Sequence, residues 1–168
     1  MLLNILIPVL CILLDQAVKY WAVHYLQPVH SIPLWEGVFH LTYCENTGAA
    51  FSMFSGQRWP LLVVTVILLG GMIYVLRAGW MQNLFGRVSL LLMIAGALGN
   101  MIDRIFLGYV VDLFDFCLIN FAIFNVADIF LCVAVGMICI YTLFMEPKIE
   151  KAKKEAAQNG DHLSDGNA

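Results

Sequence analysis

Four apolar stretches occupy about half of the sequence, and each is long enough to cross a lipid bilayer. A membrane-spanning helix needs about 20 mostly apolar residues. The four stretches are Leu3–Trp21, Pro60–Leu76, Val88–Phe106 and Phe124–Met145. Charged residues make up 12% of the 168 positions, whereas soluble domains carry about 25%. The sequence therefore predicts an all-α membrane protein with four transmembrane helices.

The positions of lysine and arginine predict how these helices are oriented. Cytoplasmic loops of membrane proteins are enriched in both residues. Arg77 and Arg87 separate the second and third stretches, and a group of lysines follows the fourth. That group is Lys148, Lys151, Lys153 and Lys154. We therefore expect both termini in the cytoplasm, and the loops 22–59 and 107–123 on the outer side, which is the periplasm in a bacterium.

The outer loop 22–59 is too long for a simple turn. Its segment 31–43 alternates apolar and polar residues in places and contains the turn signal Glu36-Gly37, a pattern typical of short strands. We predict a small β-like periplasmic subdomain between the first and second spans. Residues 1–145 would form one membrane domain that includes this loop, and residues 146–168 a charged cytoplasmic tail that is partly disordered.

Polar residues interrupt the first span at its outer end. Asp15 and Lys19 are four positions apart, so they share a helix face and can pair. One interpretation is a self-neutralising pair whose lysine reaches towards water. The other is a structural pair that faces a functional site.

A second polar stripe lies at the end of the third span. Asn100, Asp103 and Arg104 share one helix face. They could form hydrogen bonds between helices, with Asp103 neutralised by its neighbour Arg104. They could instead form a polar wall that holds a peptide backbone.

Two aspartates at neighbouring helix ends carry the strongest functional signal. Asp128 follows Asn125 at the start of the fourth span, where an acid can simply complement the helix dipole. Asp112 lies just beyond the third span, and acids at such positions are costly unless they are paired or hydrated. Two carboxylates that share one proton can activate water against a peptide bond. Asp115, three residues after Asp112, is an equal rival on the residues alone.

The segment before the second span is a further candidate. Asn46-Thr47-Gly48 is typical of a turn. The small residues Gly48, Ala49 and Ala50 would also let a substrate backbone approach closely.

Other chemistries leave no trace in the sequence. It contains no His-Glu-x-x-His metalloprotease motif, no Gly-x-Ser-x-Gly motif and no nucleotide-binding loop. The four histidines lack ligand spacing, so we expect no metal and no cofactor. Apart from the short lysine-rich tail, the sequence has no basic face that would indicate nucleic-acid binding. The five cysteines form no Cys-x-x-Cys motif, although Cys44 and Cys117 lie in connecting segments and could pair.

Five motifs in chain order resemble those of lipoprotein signal peptidase, the signal peptidase II family of bacteria. They are Asp15-Gln16-x-x-Lys19, Asn46-Thr47-Gly48-Ala49-Ala50-Phe51, Gly99-Asn100-x-x-Asp103-Arg104, Val110-Val111-Asp112 and Phe124-Asn125-Val126-Ala127-Asp128. The resemblance implies an aspartic endopeptidase of the bacterial inner membrane. Such an enzyme removes the signal peptide of diacylglyceryl-modified prolipoproteins and cuts before the lipid-bearing cysteine.

The resemblance also implies roles for individual residues. Asp112 and Asp128 match the catalytic pair, and Asp15 and Lys19 match a motif with a structural role. The residues implied to line the site are Asn46, Gly48, Asn100, Asp103, Arg104 and Asn125. The implied partners are prolipoproteins, membrane lipid and cyclic peptide inhibitors such as globomycin, and we expect a monomer. The alternative is a non-enzymatic membrane transporter or assembly factor that uses buried acids to bind protons or partners.

Overall fold

Four long apolar helices form the body of the computed structural model, which describes residues 2–48, 56–81, 83–151, 153 and 155. The helices long and apolar enough to cross a membrane are Leu2–Leu26, Arg58–Ala78, Leu84–Phe106 and Val126–Lys151. The predicted four-span architecture is confirmed. Residues 146–151, at the start of the predicted tail, continue the fourth helix. Residues 156–168 lie outside the described part of the chain.

The elements follow one another in a simple order. Helix α1 is Leu2–Trp21, α2 is Arg58–Ala78, α3 is Leu84–Phe106 and α4 is Val126–Ile140. The strands, all at one end of the helices, are β1 (Ser31–Trp35), β2 (Phe39–Asn46) and β3 (Val110–Asp115). Short π-helical turns extend α1 through Ala22–Leu26 and α4 through Tyr141–Met145.

The α-helical part of the first span ends at Trp21, as predicted. The backbone stays helical beyond it through the π-turn Ala22–Leu26, whose first and last residues are fully buried in the cluster beneath the sheet. The fourth helix does not begin at Phe124. Asn125 caps it, and Phe124 pairs instead with Phe114.

The three strands form one antiparallel sheet in the order β1-β2-β3. The predicted hairpin corresponds to β1 and β2. The sequence predicts the whole β-like subdomain between the first and second spans, but β3 follows α3 and pairs with β2. Its sequence, Val110-Val111-Asp112-Leu113-Phe114-Asp115, has an apolar run too short to separate from the end of a helix by pattern alone.

A small apolar cluster joins the sheet to the helices. It consists of Ala22, Leu26, Tyr43, Val111 and Leu113, all less than 10% exposed. Since side chains alternate along a strand, Val111 and Leu113 pack into this cluster while Asp112 between them points the other way.

Glycines let α3 lie against its neighbours. A Cβ atom at Gly96 would lie 2.6 Å from the carbonyl oxygen of Ala127 on α4, and a Cβ atom at Gly99 would lie 2.6 Å from Oδ2 of Asp15 on α1. Small residues permit such close helix approach in membranes. α1 and α4 therefore both pack closely against α3.

We predict that Gly96→Ala destabilises the protein. The new methyl group must displace the backbone of α4 at Ala127, and such overpacking costs about 1–3 kcal/mol. Thermal unfolding in detergent measures this loss. Gly136→Ala on α4 is the matched control, because its Cβ atom would meet no atom within 4 Å and alanine favours a helix over glycine. Equal stability of the two variants would contradict the proposed close contact.

Candidate active site

A buried lysine neutralises two aspartates between α1 and α3. Nζ of Lys19 lies 2.9 Å from Oδ2 of Asp15 and 2.9 Å from Oδ2 of Asp103. The three residues are at most 3% exposed, so Lys19 does not reach towards water. Asp103 is neutralised by Lys19 of the neighbouring helix rather than by Arg104. Because buried charges are costly unless they are paired, this cluster fixes the contact between the two helices.

Gln16 completes the ionic cluster and was not among the predicted site residues. Its Nε2 atom lies 3.0 Å from Oδ1 of Asp103, 3.2 Å from Oδ2 of Asp15 and 3.3 Å from the carbonyl oxygen of Gly99. Its place in the first motif, beside Asp15, was the available signal. An amide costs less to bury than an ionised group, so Gln16 is a weaker signal in the sequence than Asp15 or Lys19.

The cluster reaches the start of α4 by two routes. Oδ1 of Asp15 accepts a hydrogen bond of 2.8 Å from the backbone N–H of Ala127. Lys19 donates its third hydrogen bond, of 2.9 Å, to Oδ1 of Asn100. Since the first backbone N–H groups of a helix have no partner within it, Asp15 both satisfies one of them and holds α4 in place.

Asp128 lies in a reciprocal cap at the start of α4. The side chain of Asn125 accepts from the backbone N–H of Asp128 at 3.0 Å, and Oδ2 of Asp128 accepts from the backbone N–H of Asn125 at 3.1 Å. The interpretation as a helix-start residue is therefore correct. It is also incomplete, because Oδ1 of Asp128 accepts a 2.8 Å hydrogen bond from Asn100.

Asp112 is held by two asparagines. Oδ1 accepts a hydrogen bond of 2.6 Å from Nδ2 of Asn125, and Oδ2 accepts one of 2.9 Å from Nδ2 of Asn46. Asn125 also donates to Oδ1 of Asn100 at 3.1 Å. Asn125 therefore contacts both Asp112 and Asp128, and the amides leave each carboxylate in a defined orientation.

Burial raises the pKa of Asp112 to about 6. The hydrogen bonds from Asn46 and Asn125 and the charge of Lys19 act in the opposite direction, while the negative charge of Asp128 raises the pKa further. Desolvation and a neighbouring like charge both disfavour the ionised carboxylate. Asp112 therefore keeps its proton at pH values up to about 6, where an ordinary aspartate is already ionised.

The two acids form the polar end of one cavity of about 450 Å³. Asn46, Asn100 and Arg104 line the same polar end. The remaining wall is mainly apolar and comes from residues 121–124 and from α4. Ile129 and Val133 on this wall are 40% and 47% exposed, so the cavity extends from the acids to the apolar outer surface of α4.

The other three residues predicted to line the site, Gly48, Asp103 and Asn125, are absent from the described lining of the cavity. Asp103 accepts a hydrogen bond of 3.2 Å from the backbone N–H of Val111, and Asn125 positions both acids as described above. Arg104 donates a 2.7 Å hydrogen bond to the carbonyl oxygen of Gly48, whose own N–H donates to Asn46 at 3.0 Å. Residues 49–55, which contain the rest of that motif, lie outside the described part of the chain.

Asp115 occupies a different environment from Asp112. The two residues are three positions apart on β3, so their side chains project from opposite faces of the strand. Oδ2 of Asp115 accepts a hydrogen bond of 2.9 Å from the hydroxyl group of Thr42. Among the described residues that line the cavity, Asp115 is absent. The geometry favours Asp112 as the partner of Asp128.

Comparison with known proteins identifies the family. Residues 7–144 match the family model described as signal peptidase (SPase) II. The chain belongs to the signal peptidase II family. It is 45% identical over 147 residues to a lipoprotein signal peptidase of Clostridioides difficile (strain 630), covering 88% of this chain and 99% of that protein. It is 43% identical over 150 residues to one of Lactococcus lactis subsp. lactis (strain IL1403), covering 89% and 98%.

Two solved bacterial membrane enzymes share the fold. One superposes with a TM-score of 0.76 at 34% identity and covers 85% of this chain and 88% of its own. The other gives a TM-score of 0.75 at 33% identity, with 86% and 95% covered. Together with the four apolar helices, these matches establish a multi-pass membrane protease of the signal peptidase II family.

We predict that Lys19→Met strongly destabilises the protein. The substitution keeps the side-chain volume but leaves Asp15 and Asp103 buried without a counter-charge, which costs about 3–5 kcal/mol. Thermal unfolding in detergent is the measurement. Lys151→Met is the matched control, because its side chain is 80% exposed and pairs with Glu155 only at 3.8 Å. The ionic cluster would not hold the helices together if both variants unfolded at the same temperature.

Proposed function

We propose that the chain is an aspartic endopeptidase that removes signal peptides from prolipoproteins, with Asp112 and Asp128 as its catalytic pair. The observation that carries the proposal is the placement of both carboxylates at the polar end of one cavity. The substrate class rests on the relatives, which are lipoprotein signal peptidases. The bond that is cut would be the peptide bond before a diacylglyceryl-modified cysteine.

The charge states of the pair suggest a division of labour. Asp112, whose pKa is raised to about 6, holds the shared proton. Asp128 is then the ionised partner and takes a proton from water as that water attacks the scissile carbonyl carbon. Asp112 donates a hydrogen bond to the carbonyl oxygen. When the carbon–nitrogen bond breaks, the leaving amine receives a proton from the pair.

The three asparagines serve this chemistry by fixing the carboxylates. Asn46 and Asn125 hold the two oxygens of Asp112, and Asn100 holds one oxygen of Asp128. Catalytic groups are effective when they are positioned before the substrate arrives. Arg104 lines the cavity and donates a hydrogen bond to the carbonyl oxygen of Gly48. It therefore holds the backbone at Gly48 in place.

The apolar part of the cavity suggests how the substrate is held. A signal peptide is an apolar helix, and it would lie along α4 with its cleavage site at the acids, while its lipid chains stay in the bilayer. In this proposal the sheet lies at the periplasmic face of the bacterial inner membrane and both termini lie in the cytoplasm. The positions of Arg77 and Arg87 support this orientation. The enzyme would act as a monomer, and cyclic peptides such as globomycin would block the acids.

The non-enzymatic alternative, a small transporter or assembly factor, loses its support. It explains a costly pair of acids but gives no reason for membership in a peptidase family over residues 7–144.

Separate substitution of three aspartates tests the catalytic pair. We expect Asp112→Asn and Asp128→Asn to lower kcat/KM by about 10²–10⁴-fold, the range for loss of general acid–base catalysis. Asp115→Asn, which lies outside the cavity, retains globomycin-sensitive cleavage. The assay is the gel shift of a purified lipidated precursor. Full cleavage by the Asp112 or the Asp128 variant would exclude the pair.

The pH dependence of cleavage tests which acid holds the proton. Asp112 is protonated below its raised pKa, so activity should fall as the pH rises through that value. We expect the alkaline limb of kcat/KM to have its midpoint within about one unit of 6, because kcat/KM reports the free enzyme. Initial rates at subsaturating precursor from about pH 4 to about pH 9 provide the profile. A rate that still rises across that alkaline range would assign the proton elsewhere.

A further inference from the structure

A second group of polar side chains lies on the sheet, apart from the cavity. His40, Asp115 and Cys117 each offer one ligand atom, namely a ring nitrogen, a carboxylate oxygen and Sγ, and these atoms all lie within 4.8 Å of one another. The three residues are half-buried. In the described part of the chain, none of them lines the cavity that contains Asp112.

The strand pairing explains why these residues meet. His40 on β2 is the register partner of Asp115 on β3, and Cys117 follows two positions later, at the start of the short 3₁₀ turn Cys117–Ile119. The alternate positions carry Phe39, Phe114 and Phe116. The ring of Phe39 lies 6.4 Å from that of Phe114 and 4.8 Å from that of Phe116.

Phe114, which takes part in these aromatic contacts, projects from the face of β3 opposite to that of Asp115. The Phe114 and Phe116 rings also lie 5.5 Å and 5.8 Å from the ring of Phe124, which precedes α4. The backbone that carries the three ligand atoms is therefore braced from behind, which limits the entropy lost on binding a ligand.

A neighbouring hydroxyl group orients the carboxylate. Oγ1 of Thr42 donates to Oδ2 of Asp115 at 2.9 Å and lies 2.9 Å from the hydroxyl oxygen of Ser31. Ligating carboxylates in metal sites are oriented by such outer hydrogen bonds. The arrangement leaves Oδ1 of Asp115 for a ligand.

We propose that His40, Asp115 and Cys117 bind a divalent transition-metal ion of the Zn²⁺ class, with water in the remaining position. Imidazole, thiolate and carboxylate are the donors that Zn²⁺ takes in proteins, whereas Mg²⁺ and Ca²⁺ prefer sets made of oxygen alone. The spacing of the histidines predicts no metal site, because these ligands come from β2, from β3 and from the turn after β3, which are far apart in the chain. The proposal is independent of the proposed peptidase mechanism.

Binding has two costs at the ligands. The backbone N–H of Gly37 lies 3.3 Å from Nε2 of His40, and this weak hydrogen bond is lost whichever ring nitrogen binds the ion. Burial, together with the hydrogen bond and charge of Asp115, raises the pKa of the Cys117 thiol. The ion must displace that thiol proton, which is released to solvent when the metal–sulfur bond forms.

Co²⁺ titration of the purified, metal-free protein in detergent is the test, because a cobalt–thiolate bond gives a charge-transfer absorption in the near ultraviolet. We expect saturation at one equivalent and displacement of the band by Zn²⁺. Cys117→Ser should abolish the band. His40→Gln and Asp115→Asn should weaken binding by at least about tenfold, since even the loss of an outer hydrogen bond costs that much.

Matched controls separate this site from other thiols and imidazoles. Cys139→Ser changes an exposed thiol on α4, and His24→Gln changes an exposed imidazole bound to the carbonyl oxygen of Tyr20. Both should bind Co²⁺ like the parent protein. Thermal unfolding of each metal-free variant checks its fold. The proposal is overturned if the parent protein shows no thiolate band, if the band persists in Cys117→Ser, or if the controls lose binding equally.

Discussion

The protein depends on a single buried ammonium group. Lys19 directs its three N–H bonds at Asp15, Asp103 and Asn100, and through them it is linked to α3, α4 and β3. Asp15 holds the start of α4, Asp103 holds the backbone of β3 at Val111, and Asn100 holds Asp128. Because each partner would be costly to bury alone, the lysine makes a polar site possible inside an apolar helix bundle.

The same residues serve the fold and the proposed chemistry at the start of α4. Asn125 and Asp128 form a reciprocal cap, an arrangement found in many soluble helices. Their remaining polar atoms reach Asp112 and Asn100. A structural interpretation of Asp128 and a catalytic one are therefore not alternatives. The cap fixes the orientation of the carboxylate, and that orientation is what a positioned acid or base requires.

The sequence predicted what depends on composition and local spacing, and it missed what depends on strand register. The four spans, the β1–β2 hairpin and the Asp15–Lys19 pair follow from apolar length, turn residues and helical periodicity. The strand β3, the separation of Asp112 from Asp115 and the meeting of His40 with Cys117 depend on the pairing of β2 with β3. No local pattern near these residues specifies that pairing. The sequence therefore does not choose between Asp112 and Asp115 without the family resemblance, whereas the strand geometry favours Asp112.

The two proposed catalytic acids belong to different parts of the structure, so their pairing depends on how those parts pack together. Asp112 is carried by the sheet and Asp128 by the helix bundle, and the apolar cluster of Ala22, Leu26, Tyr43, Val111 and Leu113 joins the two parts. If the helix stopped at Trp21, Ala22 and Leu26 would not present this surface, and the sheet would lose its support. The π-helical turn Ala22–Leu26, which follows α1, is thus what brings Asp112 within reach of Asn125. Burial in the same docked arrangement raises the pKa of Asp112. The packing that positions this carboxyl group therefore also raises its pKa.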